Sequence, residues 1–368
     1  MKKQVNEIYW IRAIACLSVV FIHLLTLMLV NNPELPEKTA AIVQSAQLML
    51  LFATPMFILI SEVLLAHAYP DQLPKGFFQK RIKYIFLPYV FISFLYAAYA
   101  QFTLGFTMEG FLTQSAKHLF LVSWHGYFIL IIFQFYLLHA FFIRFMKQAS
   151  VWFTLAVTAS VQITYTYVFL YTPAPDSEML QVFWSSYSRL LFPGWLFYFT
   201  AAWHLGRNIN ATRFFIKKHV KAIGAICASS ALVMVYMFLS GEFSAMTSRR
   251  IDVIFYTVSL FMLLFYWMTK MKKIPAPVML ISRYSFAIYL LHPMMQNIMH
   301  SWFVPMRLSM YIPLMFVLNT AACILAAWLL QKIPFGKFII GNIPAASRKK
   351  AKSISARQRS QVNQSLSQ

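Results

Sequence analysis

The sequence predicts an all-α integral membrane protein, and three observations support this fold class. Of its 368 residues, 60% are hydrophobic and only 11% are charged, and the mean hydropathy is +0.62, which is outside the range of a soluble domain of this size. Ten apolar stretches are each long enough to cross a hydrocarbon core of about 30 Å. These stretches are uniformly apolar, whereas the strands of a membrane barrel would alternate over about ten residues.

The ten predicted spans use nearly the whole chain and leave no room for a sizeable soluble domain. They are residues 8–30, 40–68, 84–106, 124–146, 151–171, 189–206, 220–241, 251–270, 279–303 and 311–332. We therefore expect one transmembrane domain over residues 1–340. Residues 341–368 are polar, basic and poor in aromatic residues, so we expect a disordered tail there.

The basic residues predict the orientation of the bundle. Placing the N-terminus in the cytoplasm puts 25 of the 32 Lys and Arg residues on the cytoplasmic side and six outside, in line with the positive-inside rule. Both termini are then cytoplasmic. The net charge of +22 thus reflects topology and contact with anionic membrane lipid, and nucleic acid is not an expected partner. The three cysteines lie within spans without ligand spacing, so neither a disulfide nor a metal site is predicted.

The first span, "YWIRAIACLSVVFIHLL" (9–25), carries Arg12 and His23. Eleven residues are almost three helical turns, so the two side chains share one face and lie about 16 Å apart along the axis. Arginine in a span costs at least about 2.5 kcal/mol unless it snorkels or is paired. Arg12 could simply snorkel and His23 could be a hydrogen-bonded packing residue, but their shared face favours a functional groove.

Further polar residues follow in the second span and the connection after it. "FILISEVLL" (57–65) places Glu62 in the apolar run, where a carboxylate needs a partner or a raised pKa. "FFQKRIKYIFLPY" (77–89) carries Lys80, Arg81 and Lys83. Glu62 therefore pairs with Arg81 or a neighbouring lysine, or it takes part in catalysis, and we favour the pair.

The fourth and ninth spans carry the remaining polar candidates. "WHGYFILIIFQFYLL" (124–138) begins with His125. In "YSFAIYLLHP" (284–293), Ser285, Tyr289 and His292 fall at i, i+4 and i+7, which places them on one helical stripe. Such a stripe could line a polar cavity or could form interhelical hydrogen bonds worth about 1 kcal/mol each.

In this order, the motifs resemble those of the membrane-bound acyltransferase-3 family over about residues 5 to 340. The most specific matches are Arg12 with His23, ten residues between them, and the Ser-aromatic-x-Ile-Tyr-Leu-x-His pattern that ends at His292. The resemblance implies a multi-span enzyme of the bacterial cytoplasmic membrane. Such an enzyme moves an acyl group, most often acetyl, from cytoplasmic acyl-CoA to a hydroxyl of an envelope polysaccharide or glycan, and its partners could include envelope glycan-synthesis proteins.

The resemblance also implies roles for individual residues. Arg12, Lys80, Arg81 and Lys83 would bind the phosphates of the acyl-CoA co-substrate, and Arg12 and His23 would be catalytic. A neutral imidazole can act as a general base or as a covalent acyl carrier, and the spacing does not decide between them. His125, Ser285, Tyr289 and His292 are candidates for the cavity wall. Glu62 departs from the family pattern, which commonly has Ser-Gly at that place.

Two functions of other classes compete with the enzyme. A transporter, exporter or flippase of a glycan or small metabolite would also carry Arg, His and Glu within its spans. Against it, the two halves of the chain show no convincing repeat and no matched pair of Gly/Pro-broken spans. A membrane sensor that binds partners through basic loops explains the charge but not the shared face of Arg12 and His23.

Overall fold

The computed structural model describes residues 5–303 and 306–344. Within these ranges the chain forms helices and no strand, so the predicted all-α class is confirmed. The helices are α1 (Asn6–Asn31), α2 (Glu37–Leu50), α3 (Ala53–Ala68), α4 (Phe77–Arg81), α5 (Leu87–Leu104), α6 (Met108–Phe120), α7 (Tyr127–Gln148), α8 (Val151–Tyr171), α9 (Glu178–Val182), α10 (Leu196–Arg207), α11 (Ile209–Leu239), α12 (Ile251–Thr269), α13 (Ala276–Phe303), α14 (Leu308–Lys332) and α15 (Gly336–Ile339). Residues 345–368 of the predicted tail lie outside the described ranges.

The described helices support a polytopic membrane protein. Eight helical segments are long and apolar enough to cross a bilayer, with 18-residue windows whose mean hydropathy runs from 1.3 to 2.6. Each coincides with one of the ten predicted spans. The two other predicted spans correspond to α10, which has only 12 residues, and to α13, which has 28 residues and many polar side chains. The number of crossings and the side on which the termini lie stay predictions.

Several spans are interrupted in ways that position the site. The second span breaks between α2 and α3 at residues 51–52, and a π-helical turn at Ile82–Phe86 joins α4 to α5. Pro293 lies inside α13. A proline has no N–H to donate and kinks the helix around it, so the polar stripe of α13 lies at a built-in irregularity.

The first helix lies at the centre of the bundle. It packs most extensively on α13 and also touches α3, α12 and α14. A second close pair is α10 against α3, where a Cβ on Gly206 would come within 2.3 Å of the Val63 carbonyl oxygen. Only glycine permits that approach. The predicted polar faces of α1 and α13 therefore meet inside a tightly packed core.

Polar contacts hold α1 in register with its neighbours. The side-chain amide of Gln296 donates to the Val20 carbonyl at 2.9 Å, and that of Gln47 donates to Thr26 Oγ1 at 2.9 Å. Near the start of the helix, Glu7 Oε1 accepts from Arg213 of α11 at 2.7–2.8 Å. These bonds fix the rotation and height of α1 on both sides of His23.

Candidate functional site

A cavity of about 810 Å³ enters the bundle at the end where α1 begins. Its walls come from α1, α3, α4, the π-helical turn, α7 and α13, and it extends inward as far as Tyr289. A cavity of this size lies in the range of about 300–1,000 Å³ typical of small-molecule and cofactor sites. The fold therefore provides a pocket that starts at one end of the bundle and ends within it.

The cavity is strongly cationic. Five Lys and Arg side chains line it, together with His67, and no Asp or Glu of the described residues does. The five are Arg12, Lys75, Lys80, Arg81 and Arg283. Cations that share a cavity without a carboxylate repel one another and favour the binding of an anion. The chemistry of this wall fits a ligand with several negative groups, such as a phosphorylated nucleotide.

Arg12 and Arg81 are the two arginines of this wall that the sequence predicted. Arg12 is half-buried, lines the cavity and has no carboxylate within 4.0 Å among the described residues. The Arg81 guanidinium lies over the rings of Phe77 and Tyr136, 4.8 and 5.3 Å from their centroids. These cation–π contacts fix the direction of Arg81 without consuming its hydrogen-bond donors.

An aromatic layer closes the inner end of the cavity. Tyr289 packs edge-on against Phe128 with ring centroids 4.3 Å apart and against Phe57 at 6.4 Å, and all three rings line the cavity. Ser285, one turn before Tyr289, also contributes to the wall. The predicted stripe of α13 thus divides: Ser285 and Tyr289 face the cavity, whereas His292 lies beyond the layer.

Three histidines, from α1, α13 and the loop before α7, meet on the far side of this layer. The His23 ring lies 5.0 Å from that of His292 and 6.0 Å from that of His125, and the His125 and His292 rings are 5.3 Å apart. We call these residues the histidine triad. His292 is fully buried, whereas His23 and His125 are half-buried. Within the described part of the chain, no group of three or more His, Cys, Asp or Glu is arranged to hold a metal ion.

The triad lies one residue layer from the cavity. The His125 ring is 5.1 Å from that of Tyr289, and the Tyr289 hydroxyl donates to the His125 carbonyl. Arg12 faces the cavity and His23 faces the triad, so the two residues share one helical face as predicted but occupy two compartments. Tyr289 forms the contact between those compartments.

His125 is held in a strained loop before α7. Val122 has φ +49°, a value that β-branched residues rarely adopt, and its carbonyl accepts from the Arg189 guanidinium at 2.7 Å. The next ring, Trp124, stacks on Tyr89 with centroids 5.5 Å apart. Strain of this kind persists only where surrounding contacts enforce it, and here those contacts direct the imidazole of His125 into the bundle.

The expected partner of Glu62 is wrong. Glu62 does not pair with Arg81 or a lysine; its Oε1 lies 2.7 Å from Nδ1 of His139, and both side chains are fully buried. The other ring nitrogen of His139 donates to the Tyr69 carbonyl at 3.0 Å. Arg81 instead turns toward the cavity, which is why it is unavailable to Glu62. No spacing pattern in the sequence connects Glu62 with a histidine 77 positions later.

Of the two lysines predicted to bind the cofactor, only one lines the cavity. Lys80 lines the cavity, but Lys83 is exposed and does not. Sequence reasoning missed Lys75 and Arg283 as wall residues, although both belong to segments that the charge distribution placed on the same membrane side. It also missed His67, whose position at the end of α3 gives no periodic signal.

A second, shallow groove lies at the opposite end of the bundle, where α8 ends. Its volume is about 790 Å³, and its polar lining comes from Glu178, Gln181, Trp184, Ser185 and Arg249. Partial burial lowers the pKa of the Arg249 guanidinium, and repulsion by the nearby Arg189 lowers it further. The groove combines an aromatic ring with charged and hydrogen-bonding groups, a composition that suits a hydroxyl-rich ligand.

Comparisons with known proteins identify the family of the chain. Residues 5–329 match the family model of acyltransferase-3 type, described as "Acyltransferase domain". The chain is 37% identical over 357 residues to the Bacillus subtilis (strain 168) protein named "Putative membrane-bound acyltransferase YfiQ", with 94% of this chain and 97% of that protein covered.

More distant relatives carry a different name. Proteins of Staphylococcus aureus (strain Mu50 / ATCC 700699) and Staphylococcus epidermidis, each named "Probable poly-beta-1,6-N-acetyl-D-glucosamine export protein", are 26% identical, with 94% of this chain and 98% and 96% of those proteins covered. No solved structure matches the chain.

Proposed function

The chain belongs to the acyltransferase-3 family, and from this membership we propose that it moves an acetyl group from acetyl-CoA to a hydroxyl of an envelope carbohydrate. One observation carries the proposal: a cavity lined by five cations and no described carboxylate ends one aromatic layer from three histidines. The cavity suits the phosphates of the donor. The histidines suit proton transfer from the acceptor.

The cationic wall would hold the nucleotide end of the acyl-CoA. Coenzyme A carries a diphosphate and a ribose phosphate, and arginine forms bidentate, charge-assisted bonds to such groups. Arg12, Arg81 and Arg283 are available for those bonds because no carboxylate within the described ranges competes for them. Lys75 and Lys80 are exposed and would attract the donor at the mouth. The acyl end would then point toward Tyr289.

His23 is the proposed general base. Its imidazole would take the proton of the acceptor hydroxyl as the hydroxyl oxygen forms a bond to the acyl carbon. The carbon–sulfur bond then breaks, and the proton passes from His23 to the leaving thiolate of CoA. General base catalysis of this kind contributes about 10²- to 10⁴-fold. Tyr289 would have to shift for the thioester to reach His23, and its contact with His125 places it between the two.

The acceptor would approach from the opposite membrane face. The shallow groove with Glu178, Trp184 and Arg249 supports this direction, because an aromatic platform beside polar groups fits a sugar ring. The names of the Staphylococcus relatives point to poly-β-1,6-N-acetylglucosamine as a carbohydrate of this class. We place the protein in a bacterial cytoplasmic membrane, with the cationic cavity open to the cytoplasm.

The test uses the purified full-length protein in lipid vesicles with labelled acetyl-CoA and an envelope glycan extract. Wild type should consume acetyl-CoA and label the glycan, and His23→Ala should lower kcat by about 10²-fold or more. His219→Ala is the matched control, because His219 is an exposed histidine on α11. Normal turnover by His23→Ala would exclude His23 as the base. A labelled protein intermediate that forms without glycan in wild type and is lost in His23→Ala would instead identify His23 as a covalent carrier.

Export of a glycan is the second candidate function, and the printed name of the Staphylococcus relatives favours it. The same vesicles separate the two functions. An exporter would move unmodified glycan across the membrane in the absence of acetyl-CoA, whereas an acyltransferase would consume acetyl-CoA without moving glycan. Glycan movement with no acetyl-CoA consumption would overturn the proposed enzyme.

A further inference from the structure

Pro293 in α13 creates an unusual hydrogen-bond acceptor beside the histidine triad. In a regular helix the N–H of residue 293 would donate to the carbonyl of residue 289. Pro293 has no N–H, so the Tyr289 carbonyl loses its helical donor. A buried carbonyl oxygen left unpaired is unfavourable, so another donor must replace the missing one.

Two imidazoles of the triad supply the missing donor. Nε2 of His125 lies 2.8 Å from the Tyr289 carbonyl oxygen, and Nδ1 of His292 lies 2.9 Å from it. Nδ1 of His292 also lies 3.0 Å from the Ile288 carbonyl. A carbonyl oxygen has two lone pairs and can accept both bonds. The gap that Pro293 leaves in the helix is therefore filled by ring nitrogens from α13 itself and from the loop before α7.

These bonds fix the tautomer of both rings. A carbonyl only accepts, so Nε2 of His125 and Nδ1 of His292 must each carry a proton. In the neutral rings the other nitrogens, Nδ1 of His125 and Nε2 of His292, then carry lone pairs. Nε2 of His292 is buried and has no partner among the described residues, while the His23 ring lies 5.0 Å from the His292 ring.

On the next turn of α13, a side chain of α5 interrupts the backbone hydrogen bond. The Tyr96 hydroxyl of α5 donates to the Leu290 carbonyl at 3.2 Å and accepts from the Met294 N–H at 3.2 Å. It thus replaces the direct bond that these two backbone groups would otherwise make. The backbone hydrogen-bond ladder of α13 is therefore interrupted on two successive turns, by Pro293 at Tyr289 and by the Tyr96 hydroxyl at Leu290.

We propose that Pro293 and the Tyr289 carbonyl form a tautomer clamp, which holds His125 and His292 so that Nε2 of His292 presents its lone pair to His23. His292 is then a positioning residue: it accepts a hydrogen bond from the His23 imidazolium that forms when His23 takes a proton. The catalytic part of this inference rests on the proposed function. The tautomer part does not, because it concerns the resting protein alone.

The first experiment reads the tautomers directly. Full-length protein labelled with ¹⁵N-histidine in lipid should show His125 protonated at Nε2 and His292 protonated at Nδ1, with assignments from single His→Gln variants. Pro293→Ala restores an N–H that competes for the Tyr289 carbonyl, so both rings should change to mixed tautomers. Pro313→Ala is the matched control, because Pro313 is also inside a helix but lies in α14. Unchanged ¹⁵N shifts in Pro293→Ala would overturn the clamp.

The second experiment measures the effect of the tautomer clamp on turnover. Pro293→Ala should lower kcat about tenfold or more, leave the KM for acetyl-CoA unchanged and not lower the Tm, since it replaces a proline within a helix. Pro313→Ala should change neither constant. Altered tautomers with unchanged kcat would overturn the positioning role.

Two substitutions at His292 separate its donor from its lone pair. His292→Asn keeps a donor near the Nδ1 position but removes the lone pair at Nε2, and should lower kcat about 100-fold. His292→Gln places an amide oxygen near Nε2 and should recover part of that loss. Equal activity of the two variants would contradict the lone-pair role. If the wild type consumes no acetyl-CoA, the proposed function fails, while the ¹⁵N spectra still decide the clamp.

Discussion

His139 and the histidine triad differ in how completely their ring nitrogens are paired. His139 uses both ring nitrogens, one with the Glu62 carboxylate and one with the Tyr69 carbonyl. The histidine triad contacts no described carboxylate, and Nε2 of His292 has no partner within the described chain. We call the first arrangement closed because both ring nitrogens of His139 are used, and its expected role is to hold helices together. The second retains a free acceptor beside His23 and can exchange a proton.

The same contrast separates two arginines. Arg250 is fully buried, pairs with Asp252 at 2.6 Å and donates to the backbone carbonyls of Phe243 and Met234. Arg12 is half-buried in the cavity wall without a described carboxylate partner. Residue type alone therefore does not distinguish structural from functional charges. The number of donors and acceptors already used within the fold does.

The largest effect on stability should come from breaking the buried Glu62–His139 pair. Glu62→Ala leaves His139 buried beside an apolar cavity, and loss of one partner of a buried pair costs about 3–5 kcal/mol. We expect the free energy of unfolding in lipid or detergent to fall by that amount. The KM for acetyl-CoA in the remaining folded protein should not change, because Glu62 does not line the cavity.

A double variant provides the control for that loss. Replacing both partners, as in Glu62→Leu with His139→Leu, removes the ion pair together with its desolvation cost and should recover most of the stability. Glu62→Gln tests the alternative that the carboxylate is catalytic. If Glu62→Gln has the free energy of unfolding of the wild type but loses turnover, the Glu62–His139 pair is not merely structural. The distinction between His139 and the histidine triad then fails.

Substituting Arg12 in the cavity wall should weaken donor binding and leave the stability of the protein unchanged. Arg12→Ala removes a charged donor from the cavity wall, and a hydrogen bond to a charged group is worth about 1.5–3 kcal/mol. The KM for acetyl-CoA should therefore rise about 10- to 150-fold, with little change in Tm. Arg144→Ala, an exposed arginine at the end of α7, is the control. A large drop in Tm for Arg12→Ala would show that Arg12 has a structural role, as Arg250 does.

The sequence could predict the all-α class and the position of most spans, because hydropathy operates over whole spans and does not depend on tertiary contacts. It also placed Arg12 and His23 on one face, since helical periodicity is local. It could not predict the Glu62–His139 pair, which joins α3 to α7, nor the aromatic layer that puts Arg12 and His23 in separate compartments. Both depend on how helices pack, and no spacing in the chain encodes that.

Two neighbouring cations offer a finer test of the cavity wall. Arg81 lines the cavity, and its guanidinium lies over two aromatic rings. Lys83 is exposed and lies outside the cavity. Arg81→Ala should raise the KM for acetyl-CoA about fivefold, the equivalent of about 1 kcal/mol for a partly solvated charge contact. Lys83→Ala should leave the KM within about twofold. An equal effect of the two substitutions would show that the donor follows net charge at the membrane surface and not the shape of this cavity.

The smallest expected effect comes from salt, and it tests the two compartments in one protein. The mouth of the cavity is solvated, so raising ionic strength from about 0.01 to 0.15 M, which shortens the Debye length from about 30 to 8 Å, should weaken donor binding about threefold. Acetyl-pantetheine lacks the nucleotide phosphates, so its KM should not respond to salt. Turnover at saturating donor should also be insensitive, because the triad is shielded from bulk ions by the Tyr289 layer. A salt-sensitive kcat would mean that the layer does not isolate the triad from the cavity during turnover, and the separation of a charged binding compartment from a proton-transfer compartment would then be wrong.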